Sequence, residues 1–221
     1  MKITAIQAFV RRLMIGNDFK SAMVSMGGVG STALARHIGS VADKTVREHA
    51  YSPAVFEGMP NVRLGYMYGN PYNAVLSVFR RGYQHMHAKA MHAGSKTRPA
   101  DMRGVTIESY LEKGVDEFCI ARQFDNWTRQ AEPRHPIILI KYEAMKDSID
   151  EVLAFFGVKD PFPVKSRQSS WRDQPAHIQA GLERMYGGLN DKIEAMPPVR
   201  VLLPAGQTIE GLEAWREEVR T

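Results

Sequence analysis

The sequence predicts an α/β protein: a central parallel sheet with helices on both sides, three layers in all. Two observations carry this. Short apolar runs at residues 22–26, 62–68 and 137–140 alternate with stretches of helical composition, the order expected of parallel strands joined through helices. The first run passes directly into a glycine loop, MGGVGST, and then into a helical stretch. On such sheets, ligands bind at the carboxyl ends of strands, which is where this loop would sit.

Each element has its own signal. Residues 1–20 read as a short extended or helical lead-in. A helix over 32–38 ends near Gly39. Residues 45–49 read as a strand edge, and 51–60 as a loop marked by Pro53, Gly58 and Pro60. After the strand at 62–68, Asn70 and Pro71 supply an N-cap side chain and a proline at the first helical position. That helix is expected to run to about Met91. Residues 93–104 are polar and broken by Gly94, Pro99 and Gly104, a mobile surface loop. Residues 105–130 have a helical pattern that Pro133 and Pro136 end. The run IILI at 137–140 is apolar on both faces, as a buried parallel strand requires. Residues 145–156 form an amphipathic helix stopped at Gly157. A last helix covers 175–196, and Pro197 and Pro198 separate it from a charged tail. A chain of 221 residues suits a single domain, 1–221.

Composition narrows the function. A net charge of +5 suits an anionic ligand. The basic residues are scattered rather than gathered in one run, which argues against nucleic acid. Cys119 is the lone cysteine, so no internal disulfide forms, in keeping with a reducing cytoplasm. No apolar stretch reaches the roughly 18 to 20 residues of a membrane span, and Arg11 and Arg12 interrupt any signal-peptide core. A soluble cytoplasmic protein is expected, without a membrane partner.

The glycine loop carries the chemistry. Gly27, Gly28 and Gly30 let backbone approach an anion closely, and the first turn of the following helix offers free N–H groups. Ser31 and Thr32 add hydroxyl donors or cap the helix. A Walker A loop has a lysine after its last glycine, where Ser31 stands here. The segment is also similar to the KGGVGK[ST] loop of partitioning-type ATPases, without either lysine. Ordinary nucleotide hydrolysis is disfavoured. His85, His87 and His92 suggest zinc, but i and i+2 point to different helix faces, so no metal is expected.

Three further stretches, in order, resemble the sulfotransferases that use 3′-phosphoadenosine-5′-phosphosulfate (PAPS). Arg47-Glu48-His49 is similar to that family's Lys-x-His segment. YMYGNPYNAVLSVFRR, residues 66–81, resembles its strand, Arg-Asn-Pro-like turn and serine-bearing helix. ILIKYEAMKDSIDEVLAFFGV, residues 138–158, resembles its Tyr-Glu-Asp segment and the helix after it. SRQSSWRD, residues 166–173, is a looser echo of the segment that closes over the nucleotide.

The resemblance implies a P-loop NTPase-like sulfotransferase fold, PAPS as donor, 3′,5′-adenosine bisphosphate (PAP) as product and no metal. The acceptor would be a hydroxyl or amine of a small molecule or glycan. It places Gly30, Ser31 and Thr32 at the loop that holds the 5′-phosphosulfate, and Gly27, Gly28 and Val29 are expected to complete the cofactor-binding loop. Ser77 would contact the 3′-phosphate, Tyr142 would lie near the nucleotide, and Arg167 would close over it. His49 would be the general base and Arg47 the cation that steadies the moving sulfuryl group, with Glu48 a rival base. Two family cations are absent: Gly28 stands for a loop lysine and Gly69 for the arginine before Asn-Pro. Ser77, Arg80 and Arg81 share a helix face by spacing, so Arg80, Arg81 or Arg167 is expected to replace that arginine. The alternatives are a catalytically weak nucleotide-binding module of the same fold and a divergent P-loop nucleotide kinase.

Overall fold

The three apolar runs become the inner strands of a five-stranded sheet. The computed structural model describes residues 21–41, 45–59, 62–93, 95, 97–164 and 170–208. The predicted lead-in, the tail beyond residue 208 and Arg167 lie outside the described residues. The strands are β1 (Ser21–Ser25), β2 (Thr45–Glu48), β3 (Arg63–Tyr68), β4 (Ile137–Lys141) and β5 (Val199–Leu202), in the order β2-β1-β3-β4-β5. β2, β1, β3 and β4 run parallel, and β5 lies antiparallel to β4. β1 and β3 are buried at every residue. Successive side chains on a strand point to opposite faces, so both faces of the sheet are covered.

Seven helices are found among the described residues: α1 (Ser31–Val41), α2 (Pro71–Arg80), α3 (Gln84–His92), α4 (Ile107–Lys113), α5 (Ile120–Thr128), α6 (Met145–Phe156) and α7 (Ala176–Glu194). None is long and apolar enough to cross a membrane. α2 starts as its sequence requires: Asn70 Oδ1 accepts from Asn73 N–H at 3.0 Å, with Pro71 at the first position. α6 ends at Gly157, in the left-handed region.

Three expectations need correction. The helix from Asn70 to about Met91 is two helices, because Gly82 takes φ +66° and its N–H bonds to Phe79 O at 2.9 Å, closing the first. The pattern over 105–130 likewise divides into α4 and α5, with left-handed residues at Gly114 and Cys119 between them. The sheet is not wholly parallel, since β5 follows the two prolines where only a tail was expected.

The α4–α5 junction is pinned from α7. Tyr186 Oη donates to Asp116 Oδ1 at 2.9 Å and also meets Tyr110 Oη. Ala121 N–H donates to Asp116 Oδ2 at 3.1 Å. Burial pushes the Asp116 carboxyl above the usual carboxylate range, while these hydrogen bonds oppose the rise. Tyr186→Phe takes a donor from this carboxylate and is expected to destabilise the chain by about 1–3 kcal/mol, read from urea unfolding. An unchanged unfolding midpoint would show the network to be dispensable.

Candidate active site

β1 delivers the site. The connection from β1 leads to β2 on one side and that from β3 to β4 on the other, so a crevice opens at the carboxyl end of β1. There the chain turns through Gly27, Gly28 and Gly30, at φ +87°, +71° and +72°, before α1 begins at Ser31. Ser31 Oγ donates to Ser25 Oγ at 2.8 Å, and Gly27 N–H reaches the same Ser25 hydroxyl at 3.4 Å. The Ser31 hydroxyl thus closes the loop on itself. Val29 turns its side chain into the core, where it is 3% exposed, and can serve a ligand only through its backbone.

Gly27, Gly28, Gly30, Ser31 and Thr32 line a cavity of about 600 Å³ together with Arg36, His49, Arg81, Tyr83, Met86 and His87. β2 runs parallel to β1 and beside it, so the residue after β2 emerges at the same end of the sheet. His49 Nδ1 lies 2.9 Å from Ser25 O. A carbonyl oxygen only accepts, so Nδ1 donates this bond, and in the neutral ring Nε2 carries the lone pair. α5 secures this corner. Gln123 Nε2 donates to Ala50 O at 2.9 Å and to Ser25 O at 3.4 Å, and Trp127 Nε1 donates to Ala50 O at 3.0 Å. Arg47 and Glu48 stand on β2 opposite Met23 and Val24; their side chains lie outside those described.

Tyr142 follows β4 and meets the loop. A Cβ built on Gly30 would fall 2.9 Å from Tyr142 Cε2, so the ring lies against the loop backbone. Ser77 does not join this cavity. It is buried on α2 and lines a neighbouring one of about 560 Å³ with Arg80, Gln84, Thr106, Ser170 and Asp173. Arg81 donates through Nε to Ser77 O at 2.9 Å yet lines the loop cavity. The face that Ser77, Arg80 and Arg81 share by spacing is therefore divided between two cavities.

Gly28 and Gly69, where the resemblance would put cations, are both crowded. A Cβ on Gly28 would fall 2.5 Å from Ala74 O and 2.8 Å from Ala74 Cα, so α2 presses on the loop where a lysine would root. At Gly69 a Cβ would meet both Glu143 carboxylate oxygens, at 2.9 and 3.0 Å. Glu143 Oε1 already accepts from Asn70 N–H at 2.7 Å. Asn73 Oδ1 accepts from Trp171 N–H at 2.8 Å and ties the late turn to α2.

Sequence reasoning gave no role at this site to Arg36, Gln123 or His87. Arg36 follows Thr32 by four on α1, a helix spacing that could have identified it. Gln123 and His87 carried no such signal, because their partners come from distant segments. The three histidines considered for zinc go separate ways. His85 Nδ1 lies 3.2 Å from Asp101 Oδ1, His87 lines the loop cavity, and His92 Nε2 lies 3.0 Å from Glu117 O.

Compared with family models, with curated proteins and with solved structures, the chain matches none.

Proposed function

We propose that this chain is a sulfotransferase of the P-loop-like fold, moving a sulfuryl group from PAPS to a hydroxyl or amine. The observation that carries the reading is His49, held by Ser25 O in the tautomer of a base, in the same cavity as an anion-binding glycine loop. Sulfuryl transfer, like phosphoryl transfer, needs in-line positioning and charge stabilisation. The loop N–H groups hold the sulfate and 5′-phosphate, and Arg36 and Arg81 face the charge. The acceptor oxygen bonds to sulfur as its proton passes to His49 Nε2. The bond from sulfur to the 5′-phosphate oxygen breaks, and its electron pair leaves with PAP. Tyr83 and Met86 line the cavity at 57% and 64% exposure, an apolar edge for the non-reacting part of a small-molecule or glycan acceptor. A cytoplasmic setting accords with a single, buried cysteine.

PAP is expected to raise the melting temperature more than ATP with magnesium or AMP, because a ligand stabilises the native state by mass action. A clear lead for ATP with magnesium would favour a nucleotide kinase, the reading against which the lysine-free loop argues.

A further inference from the structure

The loop from Gly27 to Thr32 collects N–H groups but no lysine. What stands against it is an imidazole from another element. His87, on α3, is 6% exposed. A Cβ on Gly27 would fall 2.2 Å from His87 Cε1 and 2.8 Å from its Nε2, so the ring lies directly on the loop backbone. Phe118 packs against this ring at 5.2 Å between centroids, and His49 meets it edge to face at 5.0 Å and 86°.

We infer that His87 is the cation of this loop: as imidazolium it faces the anion bound there and supplies the charge that a lysine would otherwise give. Its contact with His49 divides the labour. Two imidazolium rings this close repel, so a proton on one disfavours a proton on the other. His49 acts as a base only while Nε2 is unprotonated. A proton on His87 therefore keeps His49 competent.

Among the described residues, the other charged or titratable groups facing this cavity are Arg36 from α1, Arg81 after α2 and Tyr83 before α3. Beside Phe118 stand Glu117, bonded to Lys113 Nζ and Ala100 N–H, and Cys119, whose thiol burial pushes up to about 11. Among these, imidazole is the group that changes charge near neutral pH. During transfer, the electron pair released from sulfur settles on the leaving phosphate oxygen beside the His87 imidazolium, while the acceptor's proton rests on His49. The inference rests on the sulfuryl-transfer reading only for the identity of the anion.

Inorganic sulfate is the probe, since it remains a dianion across the pH range and carries no nucleotide. Calorimetric binding between about pH 5.5 and about pH 8.5 brackets the ordinary imidazole pKa near 6.5. The wild-type chain is expected to bind sulfate about tenfold more tightly at the acid end, the equivalent of one pKa unit of linkage. His87→Gln should bind weakly throughout and lose the slope, whereas His49→Gln should keep it. A slope that survives in His87→Gln, is lost only in His49→Gln, or is absent from the wild type overturns the assignment. Circular dichroism checks that each variant folds. Should His87→Gln fail to fold, the ring-proton resonance of His87 in the wild type decides: sulfate must raise its titration midpoint, and an unmoved midpoint sinks the idea. If sulfate behaves as expected and PAP does not bind, the nucleotide reading fails and His87 keeps its role. If PAP binds while the slope is indifferent to His87, the reverse holds.

Discussion

On the proposed sulfotransferase reading, His49→Ala is expected to lower sulfuryl transfer by about 10²- to 10⁴-fold, the range a positioned general base contributes, and to leave PAP affinity nearly unchanged. The asymmetry follows from geometry. Nδ1 donates to Ser25 O, so in the neutral ring Nε2 is the basic nitrogen. On the same reading the nucleotide would be held instead by loop N–H groups, by His87 and by Arg36 and Arg81, which line the same cavity. Single-turnover transfer with PAPS and calorimetry with PAP separate the two effects. Wild-type transfer in the variant removes His49 from the mechanism. Loss in Glu48→Ala with none in His49→Ala gives the role to its neighbour. A wild-type chain that binds PAP and transfers nothing to any tested hydroxyl or amine is a binding module.

Gly28→Ala is the second large effect, and it acts on stability. At φ +71° an L side chain is strained, and the added Cβ lies 2.5 Å from Ala74 O, a backbone atom that can move only with α2. Left-handed strain of about 1–2 kcal/mol and overpacking of about 1–3 kcal/mol together predict a loss of about 2–5 kcal/mol. Gly58 provides the control. It also has positive φ, +82°, but nothing lies within 4 Å of its Cβ position, so Gly58→Ala bears the strain alone. Urea unfolding compares the two. Equal losses would mean that the loop does not need the close approach of α2. A larger loss at Gly28 would explain why a lysine cannot simply be restored there.

How far this could be read in advance depends on where each residue's partners lie. β1, β3 and β4 are legible because a strand buried on both faces is an unbroken apolar run. α6 is legible to the residue, since its amphipathic period and terminal Gly157 are local. The breaks at Gly82 and Gly114 are not, because a glycine in a helical period becomes a stop only when its φ turns positive. β5 escapes because four residues of alternation after two prolines are too few to mark a strand. At the site, the glycine loop and His49 follow from local motif and order. Gln123 lies 98 residues from Ser25 and reaches its carbonyl only through folding. His87, read along its own helix, looked like a misplaced metal ligand; its meaning comes from Gly27 and His49, neither of them on that helix.

α2 is the wall that two cavities hold in common. Ser77 and Arg80 face one, Val78 lines the other with Arg81 just beyond the helix, and Ala74 rests on Gly28. The same helix carries Asn73, which grips the turn at Trp171. A shared wall has one position at a time. A ligand that favours one setting of α2 from either side therefore changes the affinity on the far side, and thermodynamic reciprocity requires the second ligand to act on the first by the same factor. For two ligands that each shift α2, occupancy of the two chambers would be a single two-variable equilibrium, with α2 as its common coordinate.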